Sequence, residues 1–220
     1  MHAISFDVAK ILAGSLVLTS FLMIYQVRLL ALLNVLGVHA FVLALAVAWQ
    51  AHVQAAPELY ITAAITLIFK SALIPEALRR IVVRLGLHRE IENVTSLGLV
   101  MLAGVGLVAL SLEVMLPVTA QADPLTRTDI ALALSVVLLG LLMMGTRRNA
   151  VSQVAAFLSL ENGIDLAAAG ARGMPLVVEI SIAFSVLVAF LVIGVFLFRI
   201  RERFDTVDMH ALDAFRGDRK

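Results

Sequence analysis

Leu29-Leu-Ala-Leu-Leu-Asn34-Val-Leu-Gly-Val-His39-Ala-Phe-Val-Leu-Ala-Leu-Ala-Val-Ala-Trp49 decides the fold. These 21 residues contain no Asp, Glu, Lys or Arg. At ~1.5 Å per residue such a stretch covers the roughly 30 Å of a bilayer's hydrocarbon core. Helix is the form it must take, because an open backbone in lipid leaves its own hydrogen bonds unmade. Alternating ten-residue segments, the mark of a membrane β-barrel, are absent from the sequence.

Working outward, six further apolar stretches of similar length follow the same logic: Ala9–Val27, Glu58–Leu78, Thr95–Leu116, Asp129–Gly145, Ala150–Ala169 and Met174–Arg199. Seven spans of about 20 residues account for roughly 140 of the 220 residues, close to the 61% that are hydrophobic. Only 15% are charged, against about a quarter in soluble domains. An all-α polytopic bundle of about seven transmembrane helices is therefore expected, and a soluble enzyme, a disordered chain or a nucleic-acid module is not. With no cysteine, the chain has no thiolate to hold zinc or an iron–sulfur cluster and no disulfide. A net charge of +1 gives no reason to expect nucleic acid as a partner. The first span is too long for a signal-peptide core and is read as retained.

Orientation follows from the basic residues. Arg28, Arg79, Arg80, Arg84, Arg89, Arg147, Arg148, Arg199, Arg201, Arg203, Arg216, Arg219 and Lys220 fall on one side, thirteen in all. Lys10, Arg127 and Arg172 fall on the other. The amino terminus is expected outside and the carboxyl tail in the cytoplasm. Sixteen of the 17 basic residues are thereby assigned to the surface, and Lys70 alone to the interior. The loop Arg79–Asn93 is expected to form a short surface helix. The tail after residue 200 places Phe204, Val207, Leu212 and Phe215 near one helical face, as a lipid-surface segment or a docking helix.

The informative minority is the charge inside the spans. A charged side chain at a helix centre in lipid costs about 2.5 to 3.5 kcal/mol on insertion scales, so each one needs a reason. His39, Lys70 and Glu161 lie near the middles of the second, third and sixth spans. Glu113, Asp165 and Glu179 form a second tier nearer the outer surface, and Asn34 and Glu76 sit toward the cytoplasm. The bland reading takes His39 as a packed core histidine, Glu113 as reaching interfacial water near Pro117, and Glu76 as pairing with Arg79 or Arg80. Lys70 cannot snorkel from mid-membrane, and Pro75 loosens its helix. Glu161 and Asp165, at i and i+4, share one face. Ala155, Ser159, Gly163, Ala167 and Ala171 form a small-residue stripe on the opposite face, suited to close helix contact. Burial favours the neutral form of Glu161 and a neighbouring Lys70 favours the charged one, the balance a proton carrier needs. Glu161, Glu179, Lys70 and His39 are the candidate relay residues, with Asp165 and Glu113 secondary. The five histidines are scattered and never pair at helical spacing, so no metal or haem site is expected in the chain.

Phe157-Leu-Ser-Leu-Glu161-Asn-Gly163, then Gly173-Met-Pro-Leu-Val-Val-Glu179 and the tail Phe198-Arg-Ile-Arg-Glu-Arg-Phe204-Asp, carry a resemblance. Together with Lys70 and Ile74-Pro75 they resemble hydrogenase-4 component E, a membrane-arm subunit of membrane-bound nickel–iron hydrogenases of the formate hydrogenlyase type. The resemblance divides the chain into a four-helix segment (1–127), a three-helix segment (128–200) similar to the K-type subunit of respiratory complex I, and the cytoplasmic tail (201–220). In the K-type subunit a glutamate in each of two consecutive helices serves an in-plane proton path, which carries to Glu161 and Glu179. Their separation here, 18 residues, is short for that subunit. The resemblance also implies antiporter-like and complex I-like membrane partners and peripheral hydrogenase subunits on the cytoplasmic side. The nickel–iron (NiFe) centre and iron–sulfur clusters would reside in those partners, with no cofactor on this chain, and the location would be a bacterial or archaeal cytoplasmic membrane. Two other readings stand beside it: a structural spacer whose acids only balance its bases, and a component of a multisubunit cation/proton antiporter.

Overall fold

A computed structural model describes residues 2–84, 96–122 and 124–171. The described chain is helical throughout, without a β-sheet, in the order α1 (His2–Tyr25), α2 (Leu29–Gln54), α3 (Glu58–Ile65), a π-helical segment (Thr66–Leu73), α4 (Ile74–Arg84), α5 (Leu97–Val118), α6 (Pro124–Thr146) and α7 (Ala150–Gly170). Because α3, the π segment and α4 run on without a break, five helices are long and apolar enough to cross a membrane: Phe6–Tyr25, Leu29–Gln54, Glu58–Arg84, Leu97–Val118 and Thr126–Thr146. They coincide with the first five expected spans. The sixth expected span is α7, whose Gln153, Glu161, Asn162 and Asp165 dilute its apolar character. The seventh span, with Glu179, and the tail lie outside the described residues, as does the second half of the expected 79–93 surface helix. Its first half is the end of α4.

The bundle has an apolar core, and its outer surface is apolar as well. Ile11, Ile61, Leu99, Leu102 and Val105 are exposed, while the interior takes in Thr19, His39, Gln50, Lys70, Glu161 and Asp165. Apolar surface facing outward fits a solvent of lipid tails, which gives no hydrophobic reward for burying it. Helix contact then depends on close approach. Gly140 on α6 faces the Leu160 backbone, and Gly163 on α7 faces the Val137 backbone. A Cβ on either glycine would meet those atoms at 2.9 Å. Gly163, the centre of the small-residue stripe, therefore packs on α6 as expected, whereas Ser159 from the same stripe turns to α2.

The helix pairs that touch describe a ring, α1–α2–α7–α6 and back to α1. The Glu58–Arg84 helix lies against α2, and α5 lies across α6 and α1. Helix ends are tied by two arginines. Arg127 Nε donates to Leu116 O (3.0 Å) near the end of α5. Arg147 Nη2 donates to Ile24 O (2.5 Å) and Met23 O (3.3 Å) at the end of α1. Cations at carbonyl ends complement the helix dipole. The second contact corrects the surface assignment of Arg147: the side chain is 2% exposed. Its burial lowers its pKa from the ordinary arginine value through loss of water. Helix α7 begins on Asn149, whose side chain accepts from Val151 N–H at 2.9 Å, an N-cap.

The π segment has a local cause. Pro75 has no N–H, so the α-helical bond to the Ser71 carbonyl cannot form, and the proline ring crowds that carbonyl. The backbone upstream widens instead, and the Ile74 N–H reaches Phe69 O, five residues back. Ser71 Oγ donates across to Gly37 O on α2 (3.1 Å), holding the widened stretch against the ring.

Candidate functional site: a buried ion cluster between the third span and α7

Lys70 leaves the π segment and meets α7. Its Nζ donates to Asp165 Oδ2 at 2.5 Å and to Glu161 Oε1 at 3.1 Å. All three side chains are at most 5% exposed. The i, i+4 spacing of the two acids lets one ammonium bridge both from a single helix face. Asp165, a secondary candidate from the sequence, makes the shorter contact and belongs to the cluster as fully as Glu161.

His39 sits one step away and is fully buried. Thr19 has one hydroxyl proton, and it is engaged with Ser15 O (2.9 Å) and Leu16 O (3.0 Å) within α1. Thr19 Oγ1 and His39 Nδ1 share a hydrogen bond at 2.8 Å. His39 Nε2 lies 3.4 Å from Ser159 Oγ, and the ring tautomer sets which group donates in each contact. Ser159 stands two residues before Glu161. Buried polar contacts therefore run from α1 through α2 to Ser159 on α7, and Lys70 meets the same helix on its other face, at Glu161 and Asp165.

The structure thus brings together Lys70, Glu161, Asp165 and His39. It does not bring in Glu113, which is exposed on α5, a helix whose neighbours are α6 and α1. Glu179 lies outside the described residues. Glu76 accepts from Arg80 Nε at 2.9 Å on the exposed face of α4, the pairing expected of it.

A second buried polar group went unread in the sequence. Asp129, 1% exposed on α6, accepts from Gln50 Nε2 on α2. Gln54 Nε2 donates to Gln50 Oε1 (3.0 Å) and to Ala169 O on α7 (2.7 Å). Thr126 Oγ1 donates to Gly170 O (3.0 Å). This group sits one turn of α7 beyond Asp165 and joins three helices where α7 ends. Gln50 and Asp129 fell at the soft ends of two apolar stretches, so they passed as boundary residues. The available signal was that Gln50 and Gln54 stand at i, i+4, on one face of α2.

No protein-family model matches the chain, and no solved structure matches it. The uncharacterized protein Rv0085 of Mycobacterium tuberculosis is 32% identical over 207 residues, covering 93% of this chain and 94% of that protein. The similarity runs nearly end to end in both chains, so it takes in the ring, the third span and α7 together. This chain belongs to the same family as that mycobacterial protein.

Proposed function

We propose that the chain is a membrane-arm subunit of a hydrogenase-4-like, membrane-bound oxidoreductase, and that it carries protons through its buried charged residues. Lys70 bridging Glu161 and Asp165 at 3.1 and 2.5 Å inside an apolar bundle is the observation that carries this reading. A purely architectural bundle of this composition gains little from two acids and a base there, since well-packed apolar residues serve stability as well or better. Conduction needs ionisable groups in hydrogen-bonded sequence: Glu161, Lys70 and Asp165 supply one stretch, and His39 with Ser159 a second on the other face of α7. Glu179 continues the line by its resemblance to the second glutamate of the K-type subunit. Seven spans, with the amino terminus outside and the tail in the cytoplasm, complete the proposed topology. Redox chemistry belongs to partner subunits carrying the nickel–iron centre and iron–sulfur clusters. The cytoplasmic membrane is the proposed location.

The test is Glu161→Gln in the assembled complex reconstituted into vesicles. Electron transfer is expected to remain measurable while proton translocation falls. Normal pumping in that variant would leave the cluster a structural tie between helices and end the relay reading.

A further inference from the structure

Between α2 and the Glu58–Arg84 helix lies an open groove of about 290 Å³. Its floor is the place where the two helices come closest. A Cβ on Gly37 would meet Ser71 O at 3.0 Å and Pro75 Cγ at 3.7 Å. Leu33, Val38 and Ala72 give the groove apolar walls. The short connection after Gln54 makes the two helices antiparallel, so the start of α2 and the end of α4 share one end of the bundle. Asn34, Glu76 and Arg79 line the groove toward that end. The groove is therefore apolar along one limb and polar at its mouth.

The mouth carries a net positive charge. Glu76 is matched by Arg80, whose Nε donates to it at 2.9 Å. Arg79 and Asn34 are exposed and make no hydrogen bond or ion pair among the described residues. Glu58 and Glu76 are the acids of the two helices, and Glu58 stands at the far end. Arg28 and Arg84, both exposed, add to the positive charge at the near end. Asn34 lies five residues into α2, roughly 7–8 Å along the helix axis. The headgroup layer on each side of a bilayer is about 5–8 Å thick, so this amide sits at its inner edge. Against acyl chains alone an exposed amide has no hydrogen-bond partner, whereas phosphate and glycerol ester oxygens offer one. An arginine fork matches phosphate oxygens in shape and charge.

We propose that this groove binds an anionic phospholipid, with Arg79 on the phosphate, Asn34 on the glycerol region and one acyl chain against Leu33, Val38 and Ala72. Basic pockets between membrane helices take anionic headgroups by the same chemistry. The site shares no side chain with the Lys70 cluster, so it stands or falls without any proton translocation. It requires only that the two helices lie in a bilayer.

The experiment uses the full chain purified in detergent and titrated with short-chain phosphatidylglycerol. Short-chain phosphatidylcholine is the zwitterionic control, and inorganic phosphate is the free-anion control. Thermal melts and native mass spectrometry read binding. Phosphatidylglycerol is expected to raise Tm and to remain on the protein as a single adduct, with weaker responses to both controls. Arg79→Gln should weaken its binding on the order of tenfold. Ala72→Phe fills the apolar limb from an exposed position and should weaken it as well. Arg84→Gln removes the same charge from the same helix outside the groove lining and should leave binding unchanged. Equal losses in Arg79→Gln and Arg84→Gln would overturn the proposal in favour of diffuse attraction to a basic surface. Equal responses to phosphatidylcholine or to inorganic phosphate would overturn it too, as would no response to phosphatidylglycerol in the folded wild-type chain. Should Ala72→Phe fail to fold, the two arginine variants, both at exposed positions, decide the question.

Discussion

At the scale of single residues, Lys70 has more at stake than any other side chain. Truncating one partner of a buried ion group strands the others. Lys70→Met is expected to destabilise the chain by about 3–5 kcal/mol, read as a drop in detergent Tm. A Lys70→Met/Asp165→Asn pair should lose less than the two single variants summed, because it removes the stranded charge along with its partner. Arg147→Ala is expected to loosen the end of α1, seen as faster hydrogen exchange at Met23 and Ile24, with little change at the Lys70 cluster. The sequence led to Lys70, Glu161 and His39 because a charge or imidazole amid apolar residues is visible at once. Depth along the helix set Asp165 apart from Glu161, whereas the reach of a lysine side chain spans a full turn and Lys70 contacts both. Thr19 and Ser159 were silent as partners, since hydroxyls occur throughout membrane helices and only the fold shows which ones face an imidazole.

At the scale of elements, the α6–α7 contact and the π segment carry different predictions. Gly163→Ala places a Cβ 2.9 Å from the Val137 backbone and should cost about 1–3 kcal/mol in stability. Gly106→Ala on α5 meets nothing within 4 Å and should be neutral or slightly stabilising by helix propensity. A thermal melt of the two variants side by side reads the difference. Asn149→Ala removes the N-cap of α7 and should cost about 1 kcal/mol in the same assay. The helices themselves were legible because a lipid-facing run has to be long and apolar, which is the easiest pattern to see. Helix ends were less so: α2 continues to Gln54, past Trp49, carrying the glutamines that meet Asp129. Pro75 signalled a weakened helix. A proline is answered in some helices by a kink and in others by a π turn, and the local pattern around Lys70 does not choose between them.

At the scale of the whole molecule, the absence of cysteine makes topology directly measurable. Ala120→Cys, between α5 and α6, is expected to react with an impermeant maleimide from outside in intact cells. Val27→Cys, between α1 and α2, should react only after permeabilisation. Labelling of both from one side would overturn the inside–outside assignment.

The ring α1–α2–α7–α6 also fixes an order of events when the chain is made. Helix α7 is the last of the ring to leave the ribosome and the least apolar of its members, with two acids that lipid alone would reject. By then Lys70 and the α6 face that carries Gly140 have already been made. The acids of α7 therefore meet Lys70 only after every other member of the ring has been made, so the ammonium of Lys70 is there before either carboxylate that it pairs with.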